Sequence, residues 1–259
     1  MRMGSAAVRG LEKKAVNGQL SVQSGNAASY KGIVIKSLVY GIVTLAAALI
    51  TYFIMNNAFA IGDADTLGVL LIIAACSGVP MLVLAFVIAF APGTVMVCGI
   101  LYTAIQGLFL GTLVCLVDIV YPGIALVAVM GTLIVFVVAL LLNRVLEVKV
   151  SSKFMRGVII AFVSMMIVSA IAGIIYAFNS EFFGAYMWLE VIVSAICIIL
   201  ATIMLMGDLQ SAEAMVTGGI DKKYEWNVAF AIVTTLTYIY LEILELLIRL
   251  AAIFGKNNN

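Results

Sequence analysis

Seven long apolar stretches leave this chain few ways to fold. They lie near 32–55, 67–91, 94–117, 122–142, 157–178, 184–207 and 226–254. About 20 mostly apolar residues in an α-helix span the hydrocarbon core and satisfy their own backbone hydrogen bonds there. Each stretch meets that length. The composition agrees: of 259 residues, 65% are hydrophobic and 10% charged, and the mean hydropathy is +1.23. A soluble domain holds roughly 45–50% apolar and about 25% charged residues. The fold class is therefore an all-α polytopic membrane protein with seven transmembrane helices. Residues 32–255 form the membrane domain. Residues 1–31, polar and rich in Gly, Ser and Asn, read as a flexible tail with a short helix around 6–15.

The turns are marked by a few residues. Pro92-Gly93 separates the second and third spans, and Pro122-Gly123 the third and fourth. Pro80 falls inside the second span and should kink it. Gly107 and Gly111 are four apart on one face of the third span, which favours close helix packing. If the sixth helix continues past Asp208, Thr217-Gly218-Gly219 should stop it.

Lys and Arg set the expected orientation. With a cytoplasmic N-terminus, twelve of the fourteen basic residues fall inside: Arg2, Arg9, Lys13, Lys14, Lys31, Lys36, Arg144, Lys149, Lys153, Arg156, Lys222 and Lys223. The outer loops carry Asp63, Asp65, Asp118 and Glu181 without Lys or Arg. The reading is N-terminus in, C-terminus out.

The chain has no histidine. That removes a Ser–His hydrolase, an H-E-x-x-H zinc site and haem held by His. With no Ser/Lys or G-x-S-x-G pattern either, the chain is not expected to be an enzyme. Net charge is +1, so no bulk field points to nucleic acid. Cys76, Cys98, Cys115 and Cys197 sit in apolar runs without C-x-x-C spacing and read as small buried hydrophobes. The 13 Met residues read as packing.

Chemistry must then come from carboxylates inside the spans, where ionisable groups are costly and mark function. The last span contains YIYLEILELLIRLAAIFG, with Glu242, Glu245 and Arg249 on one face. Glu245 and Arg249 are spaced as a favourable helical ion pair. Glu242 is left over and needs a proton, another partner or a cation. Asp208 lies in MGDLQSAEAM at the end of the sixth span, with Glu213 five residues on. The sixth and seventh helices should run antiparallel, so Asp208 and Glu242 could meet. Two carboxylates sharing a site cannot both ionise cheaply and would titrate as a unit. Deprotonated, they suit a hard cation such as calcium. Glu190, in YMWLE, reads as interfacial beside Trp188, and Asp118 as solvated beside the YPG turn.

MGDLQ followed by YLEILELLIRLAAIFG resembles the end of the Bax-inhibitor family, the transmembrane Bax-inhibitor-motif proteins. IQGLFLGTL, YPGIALVAVMGTL, KFMRGVI and KKYEWNVAF are similar in order to the bacterial, YccA-like or YetJ-like branch. The likeness runs over most of residues 30–255. It implies seven helices with the seventh central, and a pH-sensitive calcium leak with paired carboxylates as gate or sensor. Carried over, the pair is Asp208 and Glu242, which would also be the calcium ligands. Glu213, Glu245 and Arg249 support them. The seventh-helix acid here is Glu where the calcium-leak relatives usually have Asp, and Gln210 and Gln106 stand where close relatives often have acids. No cofactor is expected beyond calcium as the permeant or bound ion. The alternative implied is a regulatory protein that binds a membrane quality-control protease, using the tail and residues 208–225. The expected location is the bacterial cytoplasmic membrane.

Overall fold

The computed structural model describes residues 27–144, 149–178 and 183–256. The short helix expected around 6–15, and most of the tail, lie outside the described residues. The elements are helices α1 (Tyr30–Ile61), α2 (Ala64–Cys76), α3 (Gly78–Phe90), a 3-10 turn (Pro92–Thr94), α4 (Val95–Val120), α5 (Ile124–Arg144), α6 (Ser152–Phe178), α7 (Phe183–Thr217), a 3-10 turn (Lys222–Tyr224) and α8 (Glu225–Lys256). Helices α2 and α3 together make one span, so seven segments are long and apolar enough to cross a membrane. The protein is an all-α polytopic membrane protein.

The ends of the helices follow local chemistry. The Ser29 hydroxyl accepts from Gly32 N–H at 3.0 Å and caps α1. Gly62, at φ +73°, ends it in a conformation that favours glycine. The Asp63 carboxylate caps α2 by accepting from the Thr66 N–H and hydroxyl. The break between α2 and α3 falls at Ser77, just before Pro80. Pro80 has no N–H, and its ring crowds the carbonyl four residues earlier. The Ala74 carbonyl takes the Ser77 N–H and hydroxyl instead, the latter at 2.6 Å. Helix α7 continues past Asp208 to Thr217, and Gly219 at φ +62° completes the stop.

The chain forms two compact units. Of the described residues, the first holds those up to 120 together with 211–234, and the second holds 121–210 and those from 235 on. In the first, α1 lies directly against α4. A side chain at Gly107 would run into the Thr44 carbonyl, and one at Gly111 into the Ala48 carbonyl. The paired glycines thus let two backbones touch. In lipid no hydrophobic drive brings helices together, so this contact is a van der Waals one. In the same unit, the Tyr40 hydroxyl donates to the Val95 carbonyl at 2.7 Å. The Tyr40 ring meets Trp226 and Phe230 edge-on, and Phe230 meets Tyr102 in the same way.

In the second unit, Gly131 of α5 leaves room for Ile243 of α8, and Gly207 of α7 for Met155 of α6. The Gln210 side-chain carbonyl accepts from Val150 N–H at 3.0 Å and holds the start of α6 to α7. Phe162 of α6 packs edge-on against Tyr238 of α8 at 4.7 Å between ring centres. Most of α8 is of intermediate burial. Among its described side chains only Glu245 and Phe254 are exposed.

Candidate functional site

The second unit carries ionisable side chains at two levels of the α7–α8 pair. At one end stands Asp208, 8% exposed, whose Oδ2 accepts from the Thr235 hydroxyl at 2.8 Å. At the other end the Tyr238 hydroxyl donates to Glu242 one helical turn on. Ser194 and Cys197 of α7 stand beside this pair. Thr235 and Glu242 are seven residues apart on α8, about 10 Å along its axis. Asp208 and Glu242 therefore take separate partners in this arrangement. The antiparallel pairing expected of the two helices is present, but its register puts Thr235, not Glu242, opposite Asp208.

Arg249 is the hub of the second level. Its guanidinium lies 2.9 Å from Glu245 and 3.1 Å from Glu190. It also donates to the Ser194 hydroxyl at 2.6 Å and to the Glu190 backbone carbonyl. The Glu245–Arg249 pair read from the spacing is present. Glu190 does not share the exposure of its neighbour Trp188. Trp188 is exposed, whereas Glu190 is 1% exposed. Residues two apart on a helix project in nearly opposite directions, so one can face out while the other faces in. Ser169 of α6 donates its hydroxyl to the Glu190 carboxylate at 2.8 Å. A buried carboxylate is tolerated only when paired and hydrogen-bonded in this way. One guanidinium thus faces two carboxylates directly, with Glu242 on the same face of α8.

Helix α8 is accordingly not apolar all round. Thr235, Tyr238, Glu242, Glu245 and Arg249 share one face. Sequence reasoning misses the burial of Glu190 and its pairing with Arg249, and misses Ser194 and Ser169. The signal for the two on α7 is present: Glu190, Ser194, Cys197, Ala201, Leu205 and Asp208 recur at helical spacing, and all six are buried. The remaining supporting acid, Glu213, belongs to the first unit and is exposed.

The first unit has its own buried acid, which sequence reasoning also misses. Glu225 is fully buried; it pairs with Lys36 at 2.8 Å and accepts from Ser29 N–H at 2.7 Å. Lys36 donates as well to the Lys222 carbonyl and lies over the Trp226 ring. Ala27 and Ala28 bridge to Asp221 and Ile220. The last residues of the tail are thus tied down beside the loop before α8. Asp118, read as solvated, is half-buried and accepts from the Tyr52 hydroxyl at 2.9 Å.

Among the described residues no three His, Cys, Asp or Glu side chains gather as a group that could hold a metal ion. Calcium ligation by Asp208 and Glu242 together would need them to come closer than they stand here.

No curated protein and no solved structure matches the chain. The family model described as Bax inhibitor 1 like matches residues 9–252. That match covers nearly the whole sequence, and the chain belongs to the Bax inhibitor 1-like family.

Proposed function

We propose that the protein is a pH-sensitive cation leak, passing calcium slowly across the membrane, with Asp208 and Glu242 as its gating or sensing carboxylates. The observation that carries this reading is the set of acids inside the spans of the second unit. One side chain, Arg249, offsets part of their charge, and the partners of Asp208 and Glu242 among the described residues are hydroxyls. A hydroxyl satisfies a lone pair but cancels no charge, so each of these acids exchanges its proton against a cation. Oxygen donors of this kind suit calcium. Because the two take separate partners, they act as two stations, not as one pair sharing a proton.

The distribution of Lys and Arg supports a cytoplasmic N-terminus and an outer C-terminus. The ordered likeness of the helix-opening motifs supports the bacterial branch of the family and the cytoplasmic membrane.

Calcium flux into proteoliposomes between about pH 5 and 8 tests the reading. The wild type should conduct in a pH-dependent way. Asp208→Asn and Glu242→Gln should each flatten that dependence while the protein stays folded. Flux no greater than that of empty liposomes at every pH would overturn the leak and leave a regulatory, partner-binding role to be tested.

A further inference from the structure

The motif KFMRGVI, at the start of α6, takes no part in the acid levels of the second unit. It carries Lys153 and Arg156, with Lys149 just before it, and all three are exposed. Among the described residues none of the three forms an ion pair. In the first unit, by contrast, Lys223 stands 3.8 Å from Asp221, and Lys36 pairs with Glu225. Residues 144–156 hold four basic residues to one acid, Glu147, and no further acid follows until Glu181, past the other end of α6. Lys153 also sits in the first turn of α6, which holds no acid and where the helix dipole disfavours a cation. This charge opposes folding, and a bound anion would offset it.

The cations adjoin the apolar surface of the span. Lys153 has Arg156 and Gly157 as neighbours on the helix surface, three and four residues on. A Cβ at Gly157 would meet nothing within 4 Å, so an open shelf lies beside the two cations. From Arg156 the same stripe continues through Ile160, Val163 and Ile167, which are 67%, 48% and 53% exposed. Arg156 and Ile167 are eleven residues apart, about 16 Å along the helix. The helix beneath is fixed: Met155 fills the space at Gly207, and the Val150 N–H donates to Gln210.

We propose that the start of α6 binds the headgroup of an anionic phospholipid, with the phosphate on Arg156 and Lys153 and an acyl chain along Ile160, Val163 and Ile167. A guanidinium grips a phosphate through two parallel N–H donors, and an ammonium adds a point charge. Basic residues at the end of a span attract anionic lipid in this way. The shelf at Gly157 gives the glycerol backbone room between the cations and the stripe. The stripe favours a lipid over a free phosphate, because only a ligand with a chain covers it. A zwitterionic lipid would bring a cation of its own to a patch with no acid to receive it. None of these groups is Asp208, Glu242 or a partner of theirs, so the site does not depend on the leak.

The test is displacement of a fluorescent phosphatidylglycerol from the full chain in detergent, with monodispersity as the check on folding. Unlabelled phosphatidylglycerol should compete; phosphatidylcholine and glycerol 3-phosphate at the same concentration should not. Lys153→Gln and Arg156→Gln should each weaken binding about five-fold, the loss expected of one cation at an anionic surface. Arg156→Lys should lose less. Gly157→Leu, which keeps every charge but fills the shelf, should weaken binding as well. Lys223→Gln, in the first unit, should leave it unchanged. Equal competition by phosphatidylcholine, or wild-type binding in both Lys153→Gln and Arg156→Gln, would overturn the site. An equal loss in Lys223→Gln would reduce it to general surface charge. Competition by glycerol 3-phosphate as strong as that by the lipid would put a free phosphate in the lipid's place. Either of these results also overturns the proposal.

Discussion

Glu225 in the first unit and Glu190 in the second are both buried carboxylates paired with a basic side chain, yet their surroundings differ. Among the described residues, Glu225 has Lys36 to itself, and Lys36 meets no second acid. One charge meets one charge, and the Ser29 amide takes part of what remains. Glu190 shares Arg249 with Glu245, and Glu242 lies on the same helix face as that pair. The first arrangement is balanced and ties the start of α1 to the start of α8. The second has an excess of acid inside a span. A buried ion pair is weak evidence for stability, because desolvation offsets most of the attraction. The proposed ion or proton chemistry rests on the imbalance, not on the pair.

The largest expected effect of breaking this comparison is at Arg249. Arg249→Met leaves Glu190 buried with no countercharge, which should cost about 3–5 kcal/mol. Thermal unfolding in detergent measures it, and Glu190→Gln added to Arg249→Met should recover most of the loss. Glu225→Gln should cost less, about 1–3 kcal/mol, since Lys36 keeps the Lys222 carbonyl and the Trp226 ring. Adding Lys36→Met to Glu225→Gln should give no comparable rescue in the same measurement. The introduced amide oxygen can still accept from the Ser29 N–H, and Lys36 is not left without partners.

Packing gives the next effect. Gly111→Val meets the backbone carbonyl of Ala48, which a side-chain rotation cannot relieve. Overpacking of this sort costs roughly 1–3 kcal/mol. Gly41→Val, where an added Cβ would meet nothing within 4 Å, is the control and should change thermal unfolding far less. The smallest effect is at Asp63, outside the spans. Its carboxyl is held below the ordinary range, first by the Thr66 hydroxyl and then by the Thr66 amide. A lowered pKa means that the cap contributes fully above the unfolded-state value and fades as pH falls through the folded one. Asp63→Asn should therefore reduce the acid-side slope of stability slightly and leave neutral pH nearly unchanged.

Much of this architecture is legible in the sequence because lipid imposes it. Seven apolar runs become seven spans, since a helix satisfies its backbone hydrogen bonds within each one. Gly107 and Gly111, and the Glu245–Arg249 pair, are local patterns that a helix turns directly into contacts. The second partner of Arg249 is not local. Glu190 is 59 residues away, and its proximity to Trp188 misleads, because near neighbours in sequence project from different faces of a helix. The opposition of Asp208 and Thr235 is hidden for a related reason: the register of two antiparallel helices depends on the loop between them. Here the glycine stop and a 3-10 turn at Lys222–Tyr224 set that loop.

The central claim is that the unbalanced acids, and not the balanced one, carry the pH response. The most direct measurement is calcium flux into proteoliposomes across about pH 5 to 8 for Asp208→Asn, Glu242→Gln and Glu225→Gln side by side. The account predicts a flattened pH profile for the first two and a wild-type profile for the third. A wild-type profile in both Asp208→Asn and Glu242→Gln, or an equal flattening in Glu225→Gln, would contradict it.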